Sequence, residues 1–334
     1  MNNLFRRIAF KNAQLVKGVI YCGVGLLTPL LSAAQDYPSR SIRMVVPYVT
    51  GGATDIVGRL MAQRMSESLG QQIVVDNRGG GASITGTDAV VKSAADGYTL
   101  LYGNIALGAN PGLFPKIPYD ASRDLAPISE VVTMPTVLVV HPSIPVRSVK
   151  ALITLAKSKP RLLNYGSAGN GSVNHLTMEV FASVAGIDMV HVPYRGGGPA
   201  FIDLMGGQLS LMFATVVASA QYVKEGRLIG LGMSGAKRSP VLPQLPTLNE
   251  SGLPNFDVVE WHLLAAPAHT PSSILEKLNA EIGKALQRPE VKDRIVALGA
   301  DAVGSTVREA GEFLNREISR WNKTISQAHI KVAD

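Results

Sequence analysis

From residue 42 onward, short apolar runs alternate with longer amphipathic ones. "IRMVV" (Ile42–Val46) has the length and β-branched content of a buried strand. The segment after it sets Ile56, Leu60, Met61, Met65 and Leu69 near one face of a helix, and Gly70 supplies the stop. "QIVVD" reads as a second strand, "NRGGG" (Asn77–Gly81) as a turn or loop, Ser83–Lys92 as a helix and "YTLLYG" (Tyr98–Gly103) as a third strand. This βαβαβ order predicts a parallel sheet with helices on its faces.

A second α/β unit starts near "TVLVVHPS" (Thr136–Ser143). It continues as a helix from Ser148 to Ser158, a strand at "LLNYGS", a helix from Ser172 to Ala185 and a strand at "MVHVPY". A helix from Pro199 to Met205 and a strand at "LSLMFA" follow. After "LIGLGMSG", four prolines (Pro240, Pro243, Pro246, Pro254) punctuate an irregular stretch. The remainder is mainly helical. Ser273 with Glu276 reads as a capping box opening a helix to about Gln287. Pro289 starts another helix, ended by Gly299, and a third runs from about Val307 to Ala328. These helices are expected to return and cover the first sheet. The chain then divides into residues 35–135, the first part of lobe 1; 136–239, lobe 2; and 240–334, the second part of lobe 1.

The first 34 residues differ from the rest. Arg6, Arg7, Lys11 and Lys17 precede or flank an apolar run from Gly18 to Leu31, with no acidic residue, and Ser32, Ala33 and Ala34 follow. Basic region, apolar region and small-residue exit describe a secretory signal peptide, cleaved after Ala34, and hence an exported product. The run falls short of the ~20 residues of a spanning helix and carries Gly23, Gly25 and Pro29.

Composition changes this picture in two ways. With 46% hydrophobic and 17% charged residues, the chain can bury a sizeable core. The formal charge of +7 falls to +3 once the four basic residues of the leader are gone, so no nucleic-acid footprint is supported. The single cysteine, Cys22, lies in the leader, so the mature chain has no disulfide, thiolate nucleophile or cysteine-bound zinc. The six histidines include no close helical pair of the metal-binding kind. No cofactor is expected.

Four polar, glycine-containing loops follow predicted strands, where open parallel sheets bind ligands. They are Thr50–Asp55, Gly103–Gly112, Gly166–His175 and Tyr194–Ala200. Helix N-termini directly follow several of them, and free N–H groups with a positive dipole end receive anions. Each loop has a plainer reading, in which the glycines serve turns and Thr54 or Ser172 is only an N-cap. Asp55 reads as a cap rather than a ligand group, because a bare carboxylate repels an anion. His175 reads as a satisfied buried histidine ahead of a catalytic one.

Enzymatic alternatives are thin. There is no G-x-S-x-G elbow and no phosphate-binding P-loop. "GLGMSG" (Gly230–Gly235) matches G-x-G-x-x-G, but the prolines that follow forbid the long helix such a fingerprint opens. Ser167 or Ser172 beside His175 leaves a secreted Ser/His hydrolase open as an alternative, with no third member indicated.

"YPSRSIRMVVPYVTGGATDIVGRLMA", "VVDNRGGGASITGTDAV", "ADGYTLLYGN", "LNYGSAGNGSVNHL", "VPYRGGGPA", "LPTLNESG" and "APAHTP" occur in this order. Together they resemble the Bug family, the periplasmic substrate-binding proteins of tripartite tricarboxylate transporters, from Tyr37 to the C-terminus. The resemblance implies a type II periplasmic binding-protein fold, a Venus flytrap of two α/β lobes joined by crossing strands. It implies a monomeric receptor, without catalysis, for a small organic acid: a mono-, di- or tricarboxylate or an aromatic acid. Its partners would be the transporter's membrane subunits; a sensor that signals to a membrane protein would share the fold. Carried over, the first lobe offers Tyr48, Thr50, Gly51, Gly52, Ala53, Thr54 and Asp55, with Asn104 and Ala106. The second offers Ser167, Gly169, Gly171, Ser172 and His175, the turn at Gly196, Gly197 and Gly198, and Ala214 and Thr215. Ser167 and Ser172, with the Thr50–Asp55 loop, are expected to hold a carboxylate. Many relatives carry Asp where this chain has Ala214, which weakens an expectation of amino-acid ligands. Ala106, Ala214 and Val217 imply room for something bulkier than acetate.

Overall fold

The structure is a computed structural model that describes residues 37–332; the expected signal peptide and its expected cleavage after Ala34 lie outside them. Strand β1 (Ile42–Val46) is almost entirely buried because it has neighbours on both edges and helices on both faces. It runs parallel to β2 (Ile73–Asn77) and β3 (Thr99–Asn104), as the βαβαβ pattern predicts. Helix α1 (Ala53–Leu69) turns Val57, Met61 and Met65 toward this sheet. Gly70 ends it in the left-handed region (φ 66°), its N–H donating to Ser66 O, a conformation cheap only for glycine. Helix α2 (Ile84–Val91) links β2 to β3; α3 (Ala106–Leu113) and the single turn α4 (Ala121–Asp124) follow β3.

Strand β4 (Leu125–Val140) is sixteen residues long and passes straight through the expected join between residues 135 and 136. Beyond it come α5 (Val149–Ser158), β5 (Asn164–Ser167), α6 (Val173–Ala185), β6 (Val190–Pro193) and α7 (Gly197–Met205). Then follow β7 (Leu211–Thr215), α8 (Val216–Lys224), β8 (Ile229–Met233) and β9 (Val259–Pro267). The chain closes with α9 (Ser272–Gln287), α10 (Pro289–Ala297), the two-residue β10 (Asp301–Ala302) and α11 (Val307–Ala328).

Across the curled sheet the order is β2-β1-β3-β9-β4-β7-β5-β6, with β8 and β10 also pairing to β4. The first part of β4, from Leu125 to Pro135, pairs antiparallel with β9. From Thr136 to Val140 it pairs antiparallel with β7 and β8. One strand therefore belongs to both halves of the molecule. At the handover Ser234 Oγ takes the Thr136 N–H at 2.8 Å and the Thr136 hydroxyl at 3.0 Å. Each half has its own apolar packing. Met44, Val57 and Met61 meet Leu278, Ile282 and Val291 in the first; Val137, Leu204, Met212 and Met233 meet in the second. A third cluster, with Leu138, Phe213, Trp261 and Trp321, bridges the two.

Two local expectations change. The stretch after the prolines contains β9, which lies between β3 and β4 in the sheet. Helix α9 has Pro271 at its start and no side-chain cap, so Ser273 and Glu276 form no capping box; that motif belongs to Thr306 and Glu309 at the start of α11. "GLGMSG" lies on and just after β8, not at a helix start. Its glycines admit neighbours instead: a Cβ on Gly230 would lie 2.7 Å from Leu245 Cδ1, and one on Gly232 3.0 Å from Leu248 Cδ2.

Candidate functional site

A cavity of about 620 Å³ opens where the two halves face each other. On the first half it is walled by the Tyr48–Thr54 loop, Ile56, Asn104 and Glu260. On the second half the wall is Ala168, Ser172–Asn174, the start of α7 and the β7–α8 junction. The halves come close at the rim, where a Cβ added to Gly196 would lie 3.2 Å from Val49 Cγ2.

The first-half wall is built on strand ends. β1 delivers the chain to Gly51 (φ 88°), which turns it into α1. Asp55 holds this turn from behind: its carboxylate accepts from Gly51 N, Arg59 Nε and Asn77 Nδ2, each at 2.9 Å. Burial works against the charge, but these bonds outweigh it and keep the carboxyl below the usual range. Asp55 is not on the cavity wall. Asn104, at the end of β3, is the hub of a buried polar network. Its Oδ1 accepts from Tyr48 OH at 2.7 Å and Ala106 N at 3.2 Å; its Nδ2 donates to Glu260 Oε1 at 3.0 Å. Thr54 donates to Glu260 Oε1 at 3.5 Å, and His262 Nε2 lies 3.4 Å from both Thr54 Oγ1 and Glu260 Oε1. Burial, then the nearby Glu260 charge, pushes the Tyr48 phenol far up, so it stays a neutral donor.

The second-half wall is built on helix starts. Ser172 caps α6, accepting from His175 N and donating to Gly169 O at 2.7 Å. Helices α7 and α8 begin after Gly196 and Thr215 with no side-chain cap, and α1 after Gly52 likewise. Orphan N–H groups at uncapped starts need acceptors from solvent or a ligand. A Cβ at Gly51, Gly52, Gly197 or Gly198 would meet nothing within 4 Å, so these backbones face open space. Between the polar ends lie Phe201, Met212, Val217 and Ile202, the last 70% exposed. Among the described residues, no Lys or Arg lines the cavity, and no group of three His, Cys, Asp or Glu could hold a metal.

Of the residues singled out in the sequence, Tyr48, Thr50, Gly51, Gly52, Ala53, Thr54 and Asn104 stand together on the first wall. Ser172, Gly196, Gly197, Ala214 and Thr215 stand on the second. Ala106, Ser167, Gly169, Gly171 and His175 are, with Asp55, behind these walls. Ser167 is fully buried; its Oγ accepts from Gly169 N at 3.1 Å and pairs with His191 Nε2 at 2.7 Å. His175 Nδ1 accepts from Gly171 N, and its ring stacks on His191 at 4.4 Å, which stacks on Tyr165 at 4.8 Å. Burial, and then His191, lowers the His175 pKa to about 3; burial lowers that of His191 to about 4. This neutral stack supports the loop that carries Ala168 and Ser172. Among the described residues neither ring joins an ion pair, so the Ser–His contact lacks both an orienting acid and access to a substrate. Glu260 was missed, although a lone carboxylate inside the apolar run "VVEWHLLAAP" is the kind of signal that marks a site. Phe201 and Met212 carried no such signal, because apolar residues read as core.

The curled α/β sheet shared by two halves, with a cavity between strand ends and helix starts, is the fold of the periplasmic binding proteins. A model of the tripartite tricarboxylate transporter family receptor matches residues 57–330, and the chain belongs to this family. It is 39% identical over 318 residues to a protein from a Pseudomonas species encoded in the tcbD–tcbE intergenic region, covering 94% of this chain and 95% of that one. It is 36% identical over 319 residues to protein BugT of Bordetella pertussis, covering 95% and 97%. Among solved structures, an R. palustris protein with adipate aligns at TM-score 0.84 and 34% identity, covering 89% of this chain and all of that one. MatC from Rhodopseudomonas palustris, with bound malate, aligns at 0.81 and 33%, covering 86% and 100%.

Proposed function

We propose that this chain is a periplasmic solute receptor that captures a small organic carboxylate in the cleft and delivers it to the membrane subunits of a tripartite tricarboxylate transporter. The observation that carries the reading is the set of uncapped helix starts at one cavity without a basic side chain. Backbone N–H groups and helix dipoles there meet an anion's charge in place of a cation. Membership of the receptor family and the acids bound by two similar solved structures support it. The carboxylate-holding groups would be Ser172, Gly196, Gly197 and Thr215, with the Thr50–Thr54 loop facing the rest of the ligand from the opposite wall. Ser167, Asp55 and His175 would act through the loops they support.

Residues 136–239 would move as one lobe against residues 35–135 and 240–334, about the strands that cross between them. A ligand shifts that equilibrium only by binding the closed form more tightly. Export through the N-terminal leader would place the receptor beside its transporter.

A thermal-shift screen of residues 35–334, unfolded and refolded to strip carried ligand, tests this. The panel holds aliphatic mono-, di- and tricarboxylates, aromatic acids, acidic amino acids and neutral sugars. At 100 times Kd a ligand stabilises by about 2.7 kcal/mol. A shift from one class of acid, without turnover, is expected. A response to sugars alone, or ester turnover lost on His191→Ala, would overturn the reading.

A further inference from the structure

Glu260 is the only carboxylate on the cavity wall among the described residues, and it is 4% exposed. A carboxylate so far from water needs donors. The Asn104 amide, the Thr54 hydroxyl and the His262 ring nitrogen all meet Oε1, and among the described residues none meets Oε2. With no Lys or Arg on the wall, no fixed cation there balances the charge. The first turn of α1 already serves this anion through Thr54. The uncapped starts of α7 and α8, on the opposite wall, have no carboxylate beside them in the cavity.

We propose that Glu260 is a specificity residue: it selects an organic acid that carries a hydrogen-bond donor, hydroxyl or ammonium, at the end remote from its carboxylate, and it rejects diacids. This rests on the carboxylate-receptor reading. The ligand carboxylate goes to the second-half helix starts, where N–H groups await an acceptor. Its far end meets Glu260. A hydroxyl or ammonium there donates to the free oxygen, whereas a second carboxylate meets a like charge at low dielectric with no Lys or Arg to offset it. A bare methyl end leaves the carboxylate desolvated and unpaired. Discrimination through an unpaired buried polar group is larger than through apolar fit alone.

Matched ligand sets test the idea by titration calorimetry at pH 7.5. One set is hexanoate, 6-hydroxyhexanoate, 6-aminohexanoate and adipate; C4 counterparts and the para-substituted benzoates, including terephthalate, complete the panel. In the skeleton that binds, the hydroxy or amino acid is expected to bind at least tenfold more tightly than the diacid and the unsubstituted acid. Glu260→Gln, nearly isosteric, is expected to cut that ratio at least tenfold and to abolish any preference for ammonium over hydroxyl. The two arms separate the sources of the donor: an ammonium preference that Glu260→Asp retains marks charge pairing, and a hydroxyl preference marks hydrogen bonding. A diacid bound as tightly as its hydroxy analogue by the native protein would overturn the proposal, whatever the variant does. So would unchanged ratios in Glu260→Gln, and in both cases the receptor reading would stand. Silence from every acid in the panel would overturn both.

Discussion

The first-half wall of the cleft, made from the ends of β1, β3 and β9, and the second-half wall, made from the starts of α6, α7 and α8, hold their polar atoms differently. On the first wall the side chains bond each other: Tyr48 to Asn104, Asn104 to Glu260, Glu260 to Thr54. On the second wall the donors are backbone N–H groups at glycine-rich turns, and two of the three helix starts have no side-chain cap. A buried hydrogen-bonded network is costly to break, because losing one member weakens the others. Uncapped helix starts are cheap in the ligand-free protein and gain partners when an anion arrives. In the proposed receptor the first wall would set orientation and the second would supply most of the carboxylate's donors.

Substitutions that disturb each wall separately sharpen this contrast. The largest effect is expected from Asn104→Ala, which takes one donor from Glu260 and removes the acceptor that Asn104 offers the Tyr48 hydroxyl and the Ala106 N–H. A loss of about 2–4 kcal/mol in urea unfolding is expected, and a loss below 1 kcal/mol would show that the network is not cooperative.

The two halves should also respond oppositely to pH. In the first half, burial and then Glu317 raise the Glu130 carboxyl to about 7. The folded state therefore holds a proton that the unfolded chain has released between pH 4.5 and 7, and stability falls as pH rises through that window. Glu130→Gln should be more stable than the native protein by about 1–2 kcal/mol above pH 7, after discounting for solvent screening. The gain should vanish near pH 4.5. In the second half, His175 and His191 refuse protons that the unfolded chain takes up below pH 6.5. Their contribution is present above 6.5 and is lost as pH falls toward about 4 and 3. Chemical denaturation of His191→Gln at pH 7.5 and pH 4.5 should show a shallower acid loss than the native protein, by about 1–2 kcal/mol. Equal slopes would mean that the stack opens before it titrates.

Ser172→Ala gives the smallest effect. Losing the cap of α6 should cost about 1 kcal/mol of stability. Because Ser172 is also on the cavity wall, affinity for the acid should fall several-fold; an unchanged Kd would limit the serine to capping.

Much of this organisation was legible in local pattern. The strand at Ile42–Val46, the helix stopped by Gly70, the helix from Pro289 and the final helix all lie where periodicity and cap residues put them. These signals depend on residues a few positions apart, so they survive without knowledge of the fold. Strand β9 was hidden because it follows a proline-rich stretch, and its apolar face reads the same in a loop packed on the core as in a strand. Ser167 and His175 were placed at the site because their loop is there. The parallel register of β5 against β6 sets Tyr165 opposite His191, so the polar groups of that loop turn to the histidine stack behind the wall.

Most of the order of strands and helices, the glycine turns before the helix starts and the absence of cysteine after Cys22 follow from the sequence by itself, because each rests on local sterics or on composition. Tertiary structure alone decided which side of each loop faces the cleft. It also let β4 serve both halves and brought Glu260 beside Thr54 and Asn104, residues more than 150 positions away. Long-range strand pairing and burial set those relations, and no short window of sequence contains them.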